Sequence, residues 1–215
     1  MIRKAIERET RKKYILEAAR RLFDEKGIEN TSMDDIASAA EYTRRTLYAY
    51  FKSRDEISLS ILVEDLAARW EEQKAQLAGS DSGLNKILKW AESLYSFTQR
   101  HPSSIRLQLY WDYKGVDRTL IGDEVFASFE SINNELAQGL REIFQLGLND
   151  GSSRPDLKVD LSISQFLYSF RAVLNRALSS TYSFAYFDAD EYVKHYLDIF
   201  ARGIGNKGVS HGETK

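Results

Sequence analysis

Arg44 and Arg45, with Thr46, Tyr48, Tyr50, Lys52 and Arg54 close behind them, are the residues of this chain whose types and spacing suit a chemical task. The task is recognition of anions and base edges rather than bond making. A guanidinium presents N–H donors in a rigid fork that matches a guanine edge or a pair of phosphate oxygens. Hydroxyls and further cations on either side suit the flanking phosphates. Thr43 directly precedes the arginine pair and is an N-cap candidate, which puts Arg44 and Arg45 in the first turn of a helix. Side chains of a recognition helix meet base edges in the major groove from that position.

Nothing else in the chain has the pattern of a catalytic centre. There is no G-x-S-x-G, no H-E-x-x-H and no cysteine, so thiolate nucleophiles, disulfides and cysteine metal sites are excluded. The GSDSG stretch at 79–83 lacks the preceding strand and the following Gly-Lys-Ser of a phosphate loop, and reads as a connector. His195 shares a helix face with Glu191 and Asp198, but one helix alone rarely makes a metal site and the three read as a solvated face. No enzyme, cofactor or metal is expected.

The elements that must hold the arginine pair are legible around it. Ser32 with Asp35 three residues on, then Ile36, Ala37 and Ala40, predicts a short helix over 33–40. Thr43 opens the second, with Leu47, Tyr48 and Phe51 as its docking side. Ser53 with Glu56 forms a capping box for a third, which runs on to about Ala78. This is a helix-turn-helix. Behind it, Ile15, Ala18, Ala19, Leu22 and Phe23 make one apolar stripe of a bracing helix that stops at Gly27. Arg3, Lys4, Arg8, Arg11, Lys12 and Lys13 precede or open that helix and read either as a solvated basic arm or as one that touches DNA.

At these residues the chain resembles the TetR family of bacterial ligand-responsive transcription regulators. The stretch TSMDDIASAAEYTRRTLYAYFKSRDEI carries the likeness, with Thr46 to Asp55 its least degenerate part, and it extends back through Arg11–Gly27 over about the first sixty residues. The resemblance implies that Ser32, Thr43, Arg44, Arg45, Thr46, Tyr48, Tyr50, Lys52 and Arg54 meet double-stranded operator DNA. One departure stands out: Glu41 occupies the turn where the family commonly has glycine.

Downstream of Ser53 the chain reads as helices alone, separated by GSDSG, His101-Pro102, the KGVDRTLIGD loop and NDGSSRPD. The last two helices are expected over about Val159–Tyr182 and Asp188–Ile204. Both are apolar on more than one side, which predicts a two-fold homodimer interface that includes Phe170, Leu174, Tyr196 and Phe200. The body has a surplus of aromatics with scattered polar groups, the make-up of a small-molecule cavity. Tyr95, Tyr110, Trp111, Tyr168, Arg171 and Asn175 are its candidate lining, and the resemblance implies an inducer there. Helix 53–78 is read as the sole segment shared by head and body.

Composition agrees with this division. Residues 1–54 carry 13 Lys and Arg against 9 Asp and Glu, whereas the remaining 161 carry 17 against 23, so the cationic surplus lies with the helix-turn-helix. The start, MIRKAIERETRKK, has no apolar core of a secretory signal, and no run of eighteen apolar residues occurs, so a cytoplasmic protein with no membrane partner is expected. The expected organisation is all-α: a DNA-binding head over 1–55, a ligand-binding and dimerisation body over 56–205, and a disordered tail over 206–215. The function expected is that of a ligand-responsive repressor binding a palindromic operator as a homodimer. A helical small-molecule-binding protein or enzyme with an incidental basic head, and a ligand-independent architectural DNA binder, are the alternatives.

Overall fold

The computed structural model describes residues 2–178 and 188–206. Among these the chain is helical, with no strand and a single isolated bridge between Ser153 and Gly205. The described residues divide into two compact units that are not consecutive in sequence: residues 1–67 with 106–133, and 68–105 with 134–215.

The first unit begins with α1 (Ile2–Lys26), whose Ile15, Ala18, Ala19 and Phe23 are buried as the stripe predicted. The helix starts earlier than Arg11, so the basic run through Lys13 is helical rather than an extended arm. It ends where Gly27 takes a φ of +82° and donates its N–H to Phe23 O at 3.1 Å, a left-handed stop that glycine adopts without Cβ strain. α2 (Met33–Ala39) and α3 (Arg44–Tyr48) follow, α2 packing on α1 and α3 on α2. α4 (Arg54–Leu77) leaves this unit beyond Ala67. Most of α6 (Pro102–Lys114), the loop 115–122 and the start of α7 (Asp123–Asn149) complete it.

The second unit holds the end of α4, α5 (Gly83–Arg100), the rest of α7, α8 (Val159–Ala177) and α9 (Ala189–Ile204). The expected extension of α8 to Tyr182 and the tail from 207 lie outside the described residues. Asn206, assigned to the tail, is tied down: its N–H donates to Ser152 O at 3.0 Å and its side-chain amide to Gly151 O at 3.1 Å. α5 starts against the backbone of α7, and a Cβ on Gly83 would lie 2.0 Å from Gly147 N. The first turn of α5 is anchored there by Gly83 N–H to Asp150 Oδ2 at 2.7 Å and Leu84 N–H to Ser152 Oγ at 3.0 Å, which satisfies amides that have no partner inside the helix. The core is aromatic. Phe166 stacks on Phe170 at 5.3 Å and on Phe200 at 4.3 Å, with Trp90 tilted against it at 6.0 Å.

Candidate nucleic-acid interface

Both short helices of the helix-turn-helix are fixed by caps. Ser32 Oγ accepts from Asp35 N–H at 3.1 Å, and Asp35 Oδ2 accepts from Ser32 N–H at 2.8 Å, a complete capping box. The hydrogen bond from Lys26, then those from the Ser32 backbone and hydroxyl, hold the Asp35 carboxyl well below its ordinary range. Thr43 Oγ1 accepts from Thr46 N–H at 3.2 Å and opens α3. Between them α2 closes in a Schellman arrangement, with Tyr42 N–H on Ala37 O at 2.8 Å and Glu41 N–H on Ser38 O at 3.1 Å. Glu41 sits in the left-handed region at φ +59°, the place the sequence marked as lacking its glycine.

α3 docks through Leu47, and Phe51 just beyond it is also buried. Tyr48, expected on that side too, is instead 45% exposed, because it faces away from Leu47 on a five-residue helix. Arg44 and Arg45 are exposed and Thr46 is half-buried. The Arg44 guanidinium donates through Nη1 to Asp34 Oδ2 at 3.0 Å and lies 5.6 Å from the centre of the Tyr48 ring. Tyr50 lies past the end of α3, half-buried, with the Arg8 guanidinium 5.1 Å over its ring.

The start of α4 departs from expectation at three places. Glu56 N–H does bond Ser53 Oγ at 3.0 Å, but the Glu56 carboxylate does not close the box. It accepts from Lys52 N–H and from Gly122 N–H at 3.1 Å. Arg54, expected to meet DNA, makes bonds within the unit: its Nη1 donates to Glu29 O at 3.0 Å and Thr31 O at 3.2 Å, and its Nη2 lies 3.7 Å from Asp55. Those acceptors tie the half-buried guanidinium to the turn before α2. Helix 53–78 is also not the sole segment reaching the head, since 106–133 belongs to the same compact unit. Ser53 Oγ donates to Leu120 O at 2.7 Å, Lys52 Nζ to Ile121 O at 3.4 Å, and Lys114 Nζ to the buried Asp55 at 2.7 Å. Lys52 remains exposed.

The candidate lining of a small-molecule site is not brought together in one unit. Tyr110 and Trp111 lie in the first unit, where Tyr110 accepts from Lys114 at 2.8 Å and Trp111 is buried. Tyr95, Tyr168, Arg171 and Asn175 lie in the second. Tyr168 and Asn175 are exposed, being on the outer face of α8. Tyr95 donates to Asp190 Oδ1 at 2.7 Å, and burial together with that carboxylate pushes its hydroxyl up to about 12, so it stays a donor that ties α5 to α9. Sequence reasoning missed a buried polar group nearby. Gln73 Nε2 donates to Trp90 O at 3.3 Å, while Gln73 Oε1, Trp90 Nε1 and Ser93 Oγ are buried without a hydrogen-bond partner. Gln73 and Ser93 gave no signal, as each falls between apolar positions of its helix. Phe170 and Leu174 are corrected as interface candidates: both are fully buried within the chain, behind the surface. Tyr196 and Phe200 are half-buried, and the apolar side chains that α8 and α9 expose are Leu161, Tyr168 and Ile199. Among the described residues no group of three histidine or acidic side chains gathers to hold a metal ion, and no helix is long and apolar enough to cross a membrane.

A capped pair of short helices, the second presenting exposed arginines at its nose, is the make-up of a helix-turn-helix DNA-binding regulator. Residues 15–61 match the family described as bacterial regulatory proteins, tetR family. The chain is 26% identical over 199 residues to the HTH-type transcriptional repressor KstR2 of Rhodococcus jostii, which covers 91% of this chain and 92% of that one. Two solved structures share the fold. The ketosteroid transcriptional regulator KstR2 of Mycobacterium tuberculosis has a TM-score of 0.68 at 21% identity, covering 92% of this chain and 96% of its own. AibR in complex with isovaleryl coenzyme A and operator DNA has a TM-score of 0.64 at 19% identity, covering 88% and 97%. Residues 15–61 thus carry a TetR-family DNA-binding domain, and the chain is similar over most of its length to a transcriptional repressor of this type.

Proposed function

We propose that this chain is a ligand-responsive repressor that binds a palindromic operator as a homodimer, reading it with a head over 1–55 and responding through a body over 56–205. The observation that carries this is the exposure of Arg44 and Arg45 on a capped, well-docked helix nose, with Tyr48 beside them. Arg44 and Arg45 read base edges. Thr43, Thr46 and Tyr48 border them, Lys52 meets a phosphate, and Ser32 and Tyr50 lie at the margins with their polar groups partly engaged within the head. The second copy docks on α8 and α9 through Leu161, Tyr168 and Ile199, with the edges of Tyr196 and Phe200. Exposed aromatic and aliphatic side chains of this kind are what an isologous interface buries.

The ligand is a small molecule taken up in the second unit, where Gln73, Trp90 and Ser93 offer buried polar atoms that lack partners and that a bound molecule would satisfy. The ketosteroid regulator and the isovaleryl coenzyme A complex among the relatives support a small-molecule response. The test is selection of bound sites from the source genome, followed by titration of the recovered operator. The unchanged chain should select a palindrome, and Arg44→Ala and Arg45→Ala should each lose about 1–3 kcal/mol of base discrimination. Variants that bind the palindrome with unchanged preference would remove α3 as the reading helix.

A further inference from the structure

Asp34 sits in the first turn of α2, ten residues before Arg44, and its Oδ2 accepts from Arg44 Nη1 at 3.0 Å. Both side chains are 62% exposed, so the pair contributes little to folding. An acidic side chain on a surface that must approach phosphates also opposes binding to any DNA sequence. The geometry indicates what the carboxylate does instead. A guanidinium has two forked edges, one made of Nη1 and Nη2 and one of Nε and Nη2. With Nη1 engaged by Asp34, the Nε and Nη2 edge is left for a paired contact. The Tyr48 ring, 5.6 Å from the Arg44 guanidinium carbon, borders the same group from within α3.

We infer that Asp34 is a positioning residue for DNA reading: it holds Arg44 so that the Nε and Nη2 edge faces a guanine, and it spends part of the arginine's charge so that phosphates compete poorly for it. This rests on the reading that Arg44 meets a base edge. A free arginine can satisfy itself on any phosphate, whereas one held at Nη1 by a carboxylate gains most where O6 and N7 of guanine are both presented. Asp34 therefore trades overall affinity for discrimination.

The test uses the full chain with its operator and a version altered at the guanine that Arg44 reads, together with random-sequence duplex. Asp34→Ala should bind random duplex more tightly, with a salt slope steeper by about one phosphate, and should lose about tenfold in the ratio of operator to altered operator. Asp34→Asn keeps an acceptor for Nη1 without the charge, so it should retain most of the ratio while gaining affinity for random duplex. In an Arg44→Ala background, Asp34→Ala should leave the ratio unchanged, which a merely structural role for Asp34 would not do. If Arg44→Ala lowers the ratio but Asp34→Ala does not, the positioning role is overturned while the reading of Arg44 stands. If Arg44→Ala itself leaves the ratio intact, both fall.

Discussion

Replacing Arg54 by alanine separates two accounts of the same residue. From its position after the recognition helix it should meet a phosphate, so its loss would weaken binding to all sequences and reduce the salt slope by about one. In the structure its Nη1 holds the carbonyls of Glu29 and Thr31 at 3.0 and 3.2 Å, closing the turn before α2 onto the start of α4. A hydrogen bond from a charged donor is worth about 1.5–3 kcal/mol. The two bonds share one nitrogen, so they count as one interaction of about 2 kcal/mol. Asp55 keeps Lys114 at 2.7 Å, so no bare buried charge is left to add to this. For a chain of this length each kcal/mol moves the melting midpoint by about 2–4 °C, which gives a fall of about 4–8 °C for Arg54→Ala. Operator affinity and salt slope, measured well below that midpoint, should stay near those of the unchanged chain. Lys52→Ala is the counterpart, losing only the long 3.4 Å bond to Ile121 O, so its midpoint should fall less than that of Arg54→Ala while its slope is reduced by about one. An Arg54→Ala protein that melts normally but loses one phosphate from its salt slope would refute the staple.

Four further outcomes follow from the geometry. Glu41→Gly should raise stability by up to about 1 kcal/mol, seen as a higher melting midpoint, because it removes a side chain from a left-handed position at φ +59°. Gly83→Ala should destabilise by about 1–3 kcal/mol in urea unfolding, since its Cβ would meet the backbone of Gly147, which cannot swing aside as a side chain can. The Asp35 carboxyl lies below its ordinary range in the folded chain, so its contribution is fully present above about pH 4 and lost as pH falls towards the lowered value. The stability gap between the unchanged chain and Asp35→Asn should therefore shrink on acidification, and a gap constant from pH 6 to pH 3 would contradict the capping box. Ile199→Asp should give a folded monomer in sedimentation, whereas Phe170→Asp, at a fully buried site, should fail to fold; a dimeric Ile199→Asp would move the interface elsewhere.

The difference between what could and could not be read beforehand follows the range of the interactions. Ser32 and Thr43 were legible as caps because a cap depends on a partner two or three residues away and on side-chain type alone. Gly27 and the stripe from Ile15 to Phe23 were legible for the same local reason. The bonds of Arg54 were not legible because its acceptors are backbone carbonyls 23 and 25 residues earlier, and a carbonyl leaves no mark in sequence. Phe170 and Leu174 were placed on the wrong surface because the width of an apolar face does not say which part the chain itself covers. Asp34 gave no signal as a partner of Arg44, since the turn that brings them together is set by the unusual conformation of Glu41 and by how α3 docks on α2. The return of 106–133 to the head unit was invisible because the hydrogen bonds that join it to residues 52–56 span 59 to 69 residues.

That return bears on how such regulators can be recombined. Exchanging reading heads between relatives is attractive for building new genetic switches, and the natural cut would fall near residue 55 or 67. A head moved with that cut would arrive without Leu120 O for Ser53, without Gly122 N–H for Glu56 and without Lys114 for Asp55. The recipient would offer its own loop, of different length and sequence, against a carboxylate that is buried and needs its cation. A graft that carries 106–133 along with 1–67 keeps these partners, so the transferable module here is a discontinuous one.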